Sequence, residues 1–499
     1  MRYVISAAIF CAIQTNAAQA APVAQAAFDR AVRHVTALAE ATRAVPGAPP
    51  AMAVIAVTEG REPVIHVSGI ADMRTGAPAD ADTPFYIASM TKAYVGLLAA
   101  ELDRRGVLDL DSTLADHWPD LRIAGVDTRA MTLRNLLGHR LLFRNDVLTF
   151  RTPYTDRVPV EEYPGLLARY SKPKQPGFSY DNLGYLLYAA ILEKKTGRSW
   201  QDWLQTTVFT PLGLTHTSAR ASDFPSVAAA HQWSVNGWQV LPPKADSLMH
   251  AAGGLATSPK DMARWLQANL GGRALPIHRA SFAASHSVLP YLRQEGTHWM
   301  RDGYALGWNR AVFSGLSFLE HGGAYTGFRS HMMIAPDKKV AFAILTNSDS
   351  MTGRLSEDLM AEFIKALTDG APLADPAIYA ATYAEQVGKQ AANRAKRDAS
   401  DIADPKWHGW AWKPADAELK TYVGRYRHAG LGTATVSWKG EGLTIALGHK
   451  TATLQPAAPD VFAGIVNPLE PREMLWFQRR NGSPETLEWE GDLFTRIDP

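Results

Sequence analysis

An α+β fold is predicted: an antiparallel sheet flanked by helices with a helical insertion, followed by a small antiparallel β-domain. Three observations predict it. Strand patterns stand near both ends of the first 370 residues, a mostly helical stretch separates them, and short alternating segments dominate beyond Leu419. With 499 residues, the chain exceeds what one ordinary core holds, so a large domain plus a smaller one is expected.

The first twenty residues read as a secretory signal peptide. Met1-Arg2 gives a short positive start, Val4 to Ile13 is apolar, and Ala18-Gln19-Ala20 supplies a small-x-small cleavage site before Ala21. The apolar run is too short for a bilayer, which takes roughly twenty residues. Removal of the leader also removes Cys11, the single cysteine, and with it any disulfide, thiol nucleophile or thiolate metal site. The expected location is outside the cytoplasm, periplasmic or secreted, with no integral membrane segment after cleavage.

Residues 21–370 are expected to form the main domain. Phe28, Val32, Val35 and Leu38 repeat at helical spacing, and Pro46, Pro49 and Pro50 end that helix. Ala51 to Val57 and Pro63 to Ile70 read as strands around the turn Glu59-Gly60. A helix runs from Ser89 to about Arg105, with Gly106 at its C′ position. Helices at Leu183 to Thr196 and Pro259 to Leu270 belong to the insertion. Strand patterns return at Tyr304 to Phe313, Phe328 to Ala335 and Val340 to Thr346, with Asp337-Lys338 as a hairpin turn, and a helix from about Arg354 to Leu367 closes the domain. Residues 371–415 read as a linker with a short helix carrying Arg394, Lys396 and Arg397, followed by Trp407, Trp410 and Trp412. Residues 416–499 form the β-domain, with strands at Tyr422 to Tyr426, Ala434 to Trp438, Leu443 to Leu447, Met474 to Gln478 and Thr486 to Glu490.

Charge excludes some partners. Fifty-one basic residues against 49 acidic ones leave a formal charge of +2, which gives no reason to expect nucleic acid or an anionic membrane surface. Chemistry is concentrated elsewhere. In Ser89-Met90-Thr91-Lys92, positions i and i+3 share one helix face, so hydroxyl and amine can meet. A serine needs a base to become a nucleophile, and a lysine whose pKa is lowered by burial can serve. A lysine in the first turn also opposes the helix dipole, at a cost of a few tenths of a kcal/mol, which a purely structural helix would avoid. A second Ser-x-x-Lys, Ser171 to Lys174, lies where Pro173 and Pro176 discourage a helix.

Tyr180-Asp181-Asn182 approaches the helix starting at Leu183. Asn182 suits an N-cap; alternatively its amide holds lysine and substrate while the Tyr180 phenol shares proton transfer. His321-Gly322-Gly323-Ala324 lies between two strand patterns, either as a glycine-assisted bend or as a strand edge beside the site, where a backbone N–H donates to an oxyanion.

In this order, these elements resemble the serine β-lactamase and penicillin-binding-protein superfamily, in the branch of class C β-lactamases, DD-carboxypeptidases, D-aminopeptidases and related carboxylesterases. The resemblance covers about residues 50–367 and extends to Phe85-Tyr86-Ile87-Ala88, Pro176 to Tyr180, Pro211 to Thr215, Ala252-Gly253-Gly254-Leu255 and Leu306-Gly307-Trp308. It implies a β-lactamase/transpeptidase-like sheet domain and a serine hydrolase with an acyl-enzyme on Ser89. Lys92 and Tyr180 would move the proton, Asn182 would orient the substrate, and His321, Gly323 and Ala324 would line the oxyanion side, with the Ser89 and Ala324 amides as donors. No cofactor or metal is implied. The partner would be a small ester or peptide-like substrate, cell-wall-derived compounds included.

Two departures stand out. His321 replaces the β-lactamase lysine, which weakens attraction for a substrate carboxylate. His139-Arg140-Leu141-Leu142-Phe143 replaces the family's His-x-Ser-Gly-Leu, which suggests a reshaped cleft wall. Ester or amide hydrolysis is therefore expected ahead of β-lactamase or DD-carboxypeptidase activity on cell-wall peptides, and a non-catalytic sensor or scaffold is the alternative outside enzymes. The C-terminal module reads as scaffold or lid, or as a carbohydrate-binding unit using its tryptophans. An α/β-hydrolase is disfavoured by the absence of Gly-x-Ser-x-Gly, and a zinc hydrolase by the absence of His-x-His and His-Glu-x-x-His among the histidines.

Overall fold

The computed structural model describes residues 21–498 apart from 235–236, 272–275, 350, 352, 369–371 and 468. The expected leader, with Cys11, lies outside the described residues. A nine-stranded sheet organises the main domain. Its spatial order is Leu289–Glu295, Met300–Tyr304, Asn309–Phe313, Leu316–Tyr325, Phe328–Ala335, Val340–Thr346, Ala51–Thr58, Val64–Asp72 and Ala77–Pro78. Every neighbouring pair is antiparallel.

The apolar runs AMAVIAVT and VAFAILT explain the centre. Both strands are buried along their whole length, with Met52 opposite Thr346. Side chains alternate between two layers. Ala53, Ile55 and Val57 join the core built on Thr91–Arg104 and Pro259–Leu270, where Tyr94 stacks on Trp265 with ring centroids 3.8 Å apart. Met52, Val54 and Ala56 meet Phe28, Val35 and Leu38 of Gln25–Arg43, and Leu359 and Phe363 of Leu355–Leu367. Each large apolar side chain so buried contributes about 1.5–3 kcal/mol of transfer free energy, enough in sum to hold both helical layers on the sheet.

Several sequence expectations need correction. The Ser89 helix opens as a 3₁₀ turn, Ala88–Met90, before the α-helix Thr91–Arg104. Tyr304 to Phe313 is two strands, not one, because Gly307 turns the chain with φ +87°. His321 to Ala324 is not a bend between strands: it lies within the strand Leu316–Tyr325. The glycines there disguise a strand whose pairing with Phe328–Ala335 is unbroken. Leu289–Glu295 was not expected as a strand; Pro290 conceals it, at the sheet edge where proline is tolerated. The short helix of the linker is instead Pro376–Ile402, 27 residues long, with Tyr383 and Val387 buried in the core beneath Gln25–Arg43.

The C-terminal module is a closed barrel of eight strands, from Gly424–His428 to Asp492–Arg496. Closure removes every free edge. Lys450–Ala458, Val461–Ile465 and Asp492–Arg496 complete the five segments legible from alternation. Trp407 is fully buried against Ala457, Val461 and Ala463, so it is core rather than a sugar-stacking platform. The barrel meets the main domain at several polar contacts. The His449 backbone N–H donates to the Thr155 carbonyl at 2.8 Å, His449 Nε2 lies 2.9 Å from Ser247 Oγ, and Asn467 Nδ2 donates to Gln232 Oε1 at 2.5 Å.

Candidate active site

Ser89, Lys92, Tyr180, Asn182 and the His321–Ala324 strand converge, although up to 235 positions separate them in sequence (Ser89 to Ala324). Ser89 sits half-buried on the 3₁₀ turn, directly after Ala88, whose φ of +46° is costly for a residue with a Cβ. The turn is fixed from both sides. The Ile87 N–H donates to the Leu255 carbonyl at 2.9 Å, and the Leu255 N–H donates to Thr91 Oγ1 at 3.1 Å.

Lys92 is fully buried, and its amine has three partners: Ser89 Oγ at 3.1 Å, Asn182 Oδ1 at 2.8 Å and the Ala252 carbonyl at 2.7 Å. None is a carboxylate. Burial therefore holds its pKa well below the usual lysine range. The Tyr180 ring centroid lies 4.8 Å from this amine, and its phenol is close enough to Ser89 for the serine to offset part of the effect of burial. Burial of the Tyr180 hydroxyl raises the phenol pKa above its normal value, although the residue as a whole is 47% exposed. The phenol stays protonated at neutral pH.

The choice between cap and ligand at Asn182 is resolved locally. Asp181 Oδ1 accepts the Leu183 N–H at 2.8 Å, and Asn182 makes no capping bond. Asp181 thus takes the capping role and frees Asn182 for Lys92. His321 is 3% exposed. Its Nδ1 lies 2.7 Å from the Gly322 carbonyl and its Nε2 lies 3.2 Å from the Tyr304 hydroxyl. Burial, with Lys92 nearby, pushes its pKa down to about 3, so the imidazole is neutral, donating from Nδ1 and accepting at Nε2. Gly323 is required by contact: a Cβ there would lie 2.0 Å from the Ile87 carbonyl oxygen. Ala324, one position on, is exposed at the cleft.

His139 belongs to the site, and its functional position was not singled out from sequence. With φ +57° and complete burial, its ring lies 4.5 Å from those of both Tyr180 and Tyr304. Its Nδ1 accepts the Asp181 N–H at 3.1 Å. Burial, then Lys92 and His321, hold its pKa well below the usual histidine range. Of the bulky residues after it, Leu141 and Phe143 are buried in the hydrophobic core, whereas Arg140 and Leu142 are only partly buried. The Ala252 carbonyl was likewise missed; only the glycines that follow it gave a signal. Gly253 accepts a hydrogen bond from the Tyr86 hydroxyl through its carbonyl. Ser171 and Lys174 stand apart from this site: Ser171 ends the helix Tyr163–Tyr170, and its Oγ accepts from Asn145 Nδ2 at 3.1 Å. Among the described residues no group of three His, Cys, Asp or Glu is placed to hold a metal ion, and no helix is long and apolar enough to cross a membrane.

Comparison with known proteins agrees with this geometry. A family model described as Beta-lactamase matches residues 28–367, and a domain of unknown function, DUF3471, matches residues 411–495. Penicillin-binding protein 4 of Amycolatopsis lactamdurans is 28% identical over 60% of this chain and 81% of its own length. The D-amino acid amidase of Ochrobactrum anthropi SV3 superposes with a TM-score of 0.56 at 22% identity, over 66% of this chain and 97% of that one. The solved structure of SurE covers 95% of this chain and 99% of its own, with a TM-score of 0.53 at 21% identity. That match extends the fold likeness across the barrel.

Proposed function

This chain belongs to the Beta-lactamase family, whose relatives are serine hydrolases, and we propose that it is an exported hydrolase of ester or amide bonds, of carboxylesterase or D-amino-acid peptidase type, working through an acyl-enzyme on Ser89. One observation carries the reading. Lys92 is buried with no carboxylate among its hydrogen-bond partners, 3.1 Å from Ser89 Oγ, and burial outweighs the attraction of the nearby Asp181. A neutral amine has two N–H groups and one lone pair. Asn182 Oδ1 and the Ala252 carbonyl occupy the two N–H groups, which turns the lone pair toward the serine. Lys92 is thus the base that takes the Ser89 proton as Oγ attacks the acyl carbon. Tyr180, a neutral phenol whose ring lies beside the same Lys92 amine, hands a proton to the leaving oxygen or nitrogen. Water then attacks the acyl-enzyme by the reverse route. The Ser89 and Ala324 amides stabilise the oxyanion, a contribution of about 2.7–4 kcal/mol per donor in comparable sites.

The neutral His321 sets the preference within the family. It offers no charge to a β-lactam carboxylate, so esters and amides rank ahead of β-lactams and of cell-wall peptides with a free C-terminus. The test is labelling with a fluorophosphonate probe and turnover of p-nitrophenyl esters. The wild type should label and turn over, whereas Ser89→Ala should do neither while remaining folded. An unlabelled wild type would favour a scaffold role, and nitrocefin hydrolysis matching ester hydrolysis would reverse the ranking. Export is tested separately by N-terminal sequencing of the mature protein, expected to begin at Ala21.

A further inference from the structure

Lys244 lies in the coil between the strand Gly237–Val240 and the short turn Asp246–Leu248. Its amine is buried without a hydrogen-bond partner. Two tyrosine rings cover it: that of Tyr325, with its centroid 3.8 Å from Nζ, and that of Tyr86, at 5.1 Å. Both rings belong to segments that build the site. Tyr86 stands three positions before Ser89, and Tyr325 directly follows Ala324. Tyr86 and Ala88 form one apolar cluster with Met249 and Phe328, against which Tyr325 packs. The Tyr86 hydroxyl also donates to the Gly253 carbonyl, one residue beyond the Ala252 carbonyl that accepts from Lys92. On its outer side Tyr325 stacks on Tyr154, with centroids 6.0 Å apart and Tyr154 44% exposed. An aromatic wall therefore runs from solvent to the residue preceding the nucleophile, with a lone ammonium beneath it.

An ammonium in that position lacks most of its hydration, and ring faces restore only part of what water supplied. Burial accordingly pushes its pKa down to about 7. A carboxylate brought by a ligand would complete the pairing, and His321 supplies no such charge on its own strand. We propose that Lys244 anchors a carboxylate on the acyl part of the substrate, so that the enzyme selects esters or amides of dicarboxylic acyl groups. The proposal rests on Ser89 being the nucleophile. For the carboxylate to reach Nζ, the Tyr325 ring that covers it at 3.8 Å has to swing aside.

The full-length protein is assayed with mono-p-nitrophenyl glutarate and p-nitrophenyl valerate, acyl chains of equal length that differ in a terminal carboxylate, with the spontaneous rates subtracted. The wild type should favour the glutarate in kcat/KM by about tenfold, the size of one charge-assisted contact. Lys244→Met should bring the ratio to about one, and Lys244→Arg should keep it above one. A wild type without the preference overturns the proposal, as does a ratio unchanged in Lys244→Met. Should Lys244→Met fail to fold, Lys244→Gln takes its place: a ratio near one in the folded variant supports the proposal, and a ratio unchanged from the wild type overturns it, as does a folded Lys244→Arg that has lost the preference. Ser89→Ala separates the underlying reading: turnover of valerate by that variant removes the nucleophile itself, whatever the ratio.

Discussion

His139 holds Tyr180 from behind, ring against ring at 4.5 Å. The same residue accepts the Asp181 N–H at its Nδ1 and the Ser179 N–H at its carbonyl. Three contacts from one side chain and its backbone thus fix the segment that carries both Tyr180 and Asn182.

Replacing His139 by Ala should therefore act on turnover rather than binding. We expect kcat to fall by roughly 10–100-fold, the scale of a displaced catalytic group, with KM changed by less than about threefold. Fluorophosphonate labelling should slow without disappearing. Steady-state kinetics on p-nitrophenyl esters would measure this, and a rise in KM at constant kcat would refute the positioning role.

Two glycines should respond in opposite directions. At Gly323 a Cβ would meet the Ile87 carbonyl oxygen at 2.0 Å, beside Ser89. Gly323→Ala must push the strand from the nucleophile and should lower kcat/KM by about a hundredfold. Gly388 stands within the helix Pro376–Ile402 with nothing near the site of an added Cβ. Gly388→Ala should stabilise by about 0.5–1 kcal/mol through helix propensity, visible as a higher melting temperature at unchanged activity.

Lys244 also predicts a pH-dependent stability. Its amine titrates at about 7 in the folded protein and near 10.4 in the unfolded chain. Below pH 7 both states are charged and the burial penalty is complete. As pH rises towards 10 the folded state is already neutral while the unfolded state loses its proton, so the penalty fades. The groups facing it do not titrate in that window: burial pushes Tyr86 well above and Tyr325 up to about 12, and it holds His250 well below the usual histidine range. Lys244→Met should thus be more stable than the wild type by on the order of 4 kcal/mol at pH 7. The gap should close near pH 10, as read from thermal melts across that range. A gap independent of pH would show that the methionine acts through packing instead.

The junction with the barrel is sensitive at Gly448, where φ is +57° and a Cβ would lie 2.1 Å from the Thr155 carbonyl oxygen. That oxygen is the acceptor for the His449 N–H. Gly448→Val should loosen the barrel and speed cleavage in the segment before it, followed by limited proteolysis, while the isolated barrel strands stay protected.

The constellation was legible because its residues are chemically unusual where they stand. Lys92 in a first helical turn and tyrosine and asparagine flanking an aspartate have few structural reasons to occur together. The central strands were legible from unbroken apolar runs. What stayed hidden depended on contacts between distant segments. Nothing near Ala252 marks its carbonyl as an acceptor for Lys92, and His139 gains its role only when Tyr180 folds onto it. Glycine and proline masked the strands at Leu316–Tyr325 and Leu289–Glu295, since their local preferences oppose an extended ladder. The long helix Pro376–Ile402 buries only Tyr383 and Val387 among its residues, too sparse an apolar stripe to announce its length.

The position of Ala51–Thr58 between Val340–Thr346 and Val64–Asp72 has a kinetic consequence. Met52 cannot meet Thr346 until nearly the whole main domain has been synthesised, so the closing contact spans almost three hundred residues and its loop entropy must be overcome late. A chain truncated before Val340 would carry an apolar strand with one bare hydrogen-bonding edge. Such fragments should self-associate rather than remain dispersed, and refolding of the intact protein should be slow and concentration-sensitive.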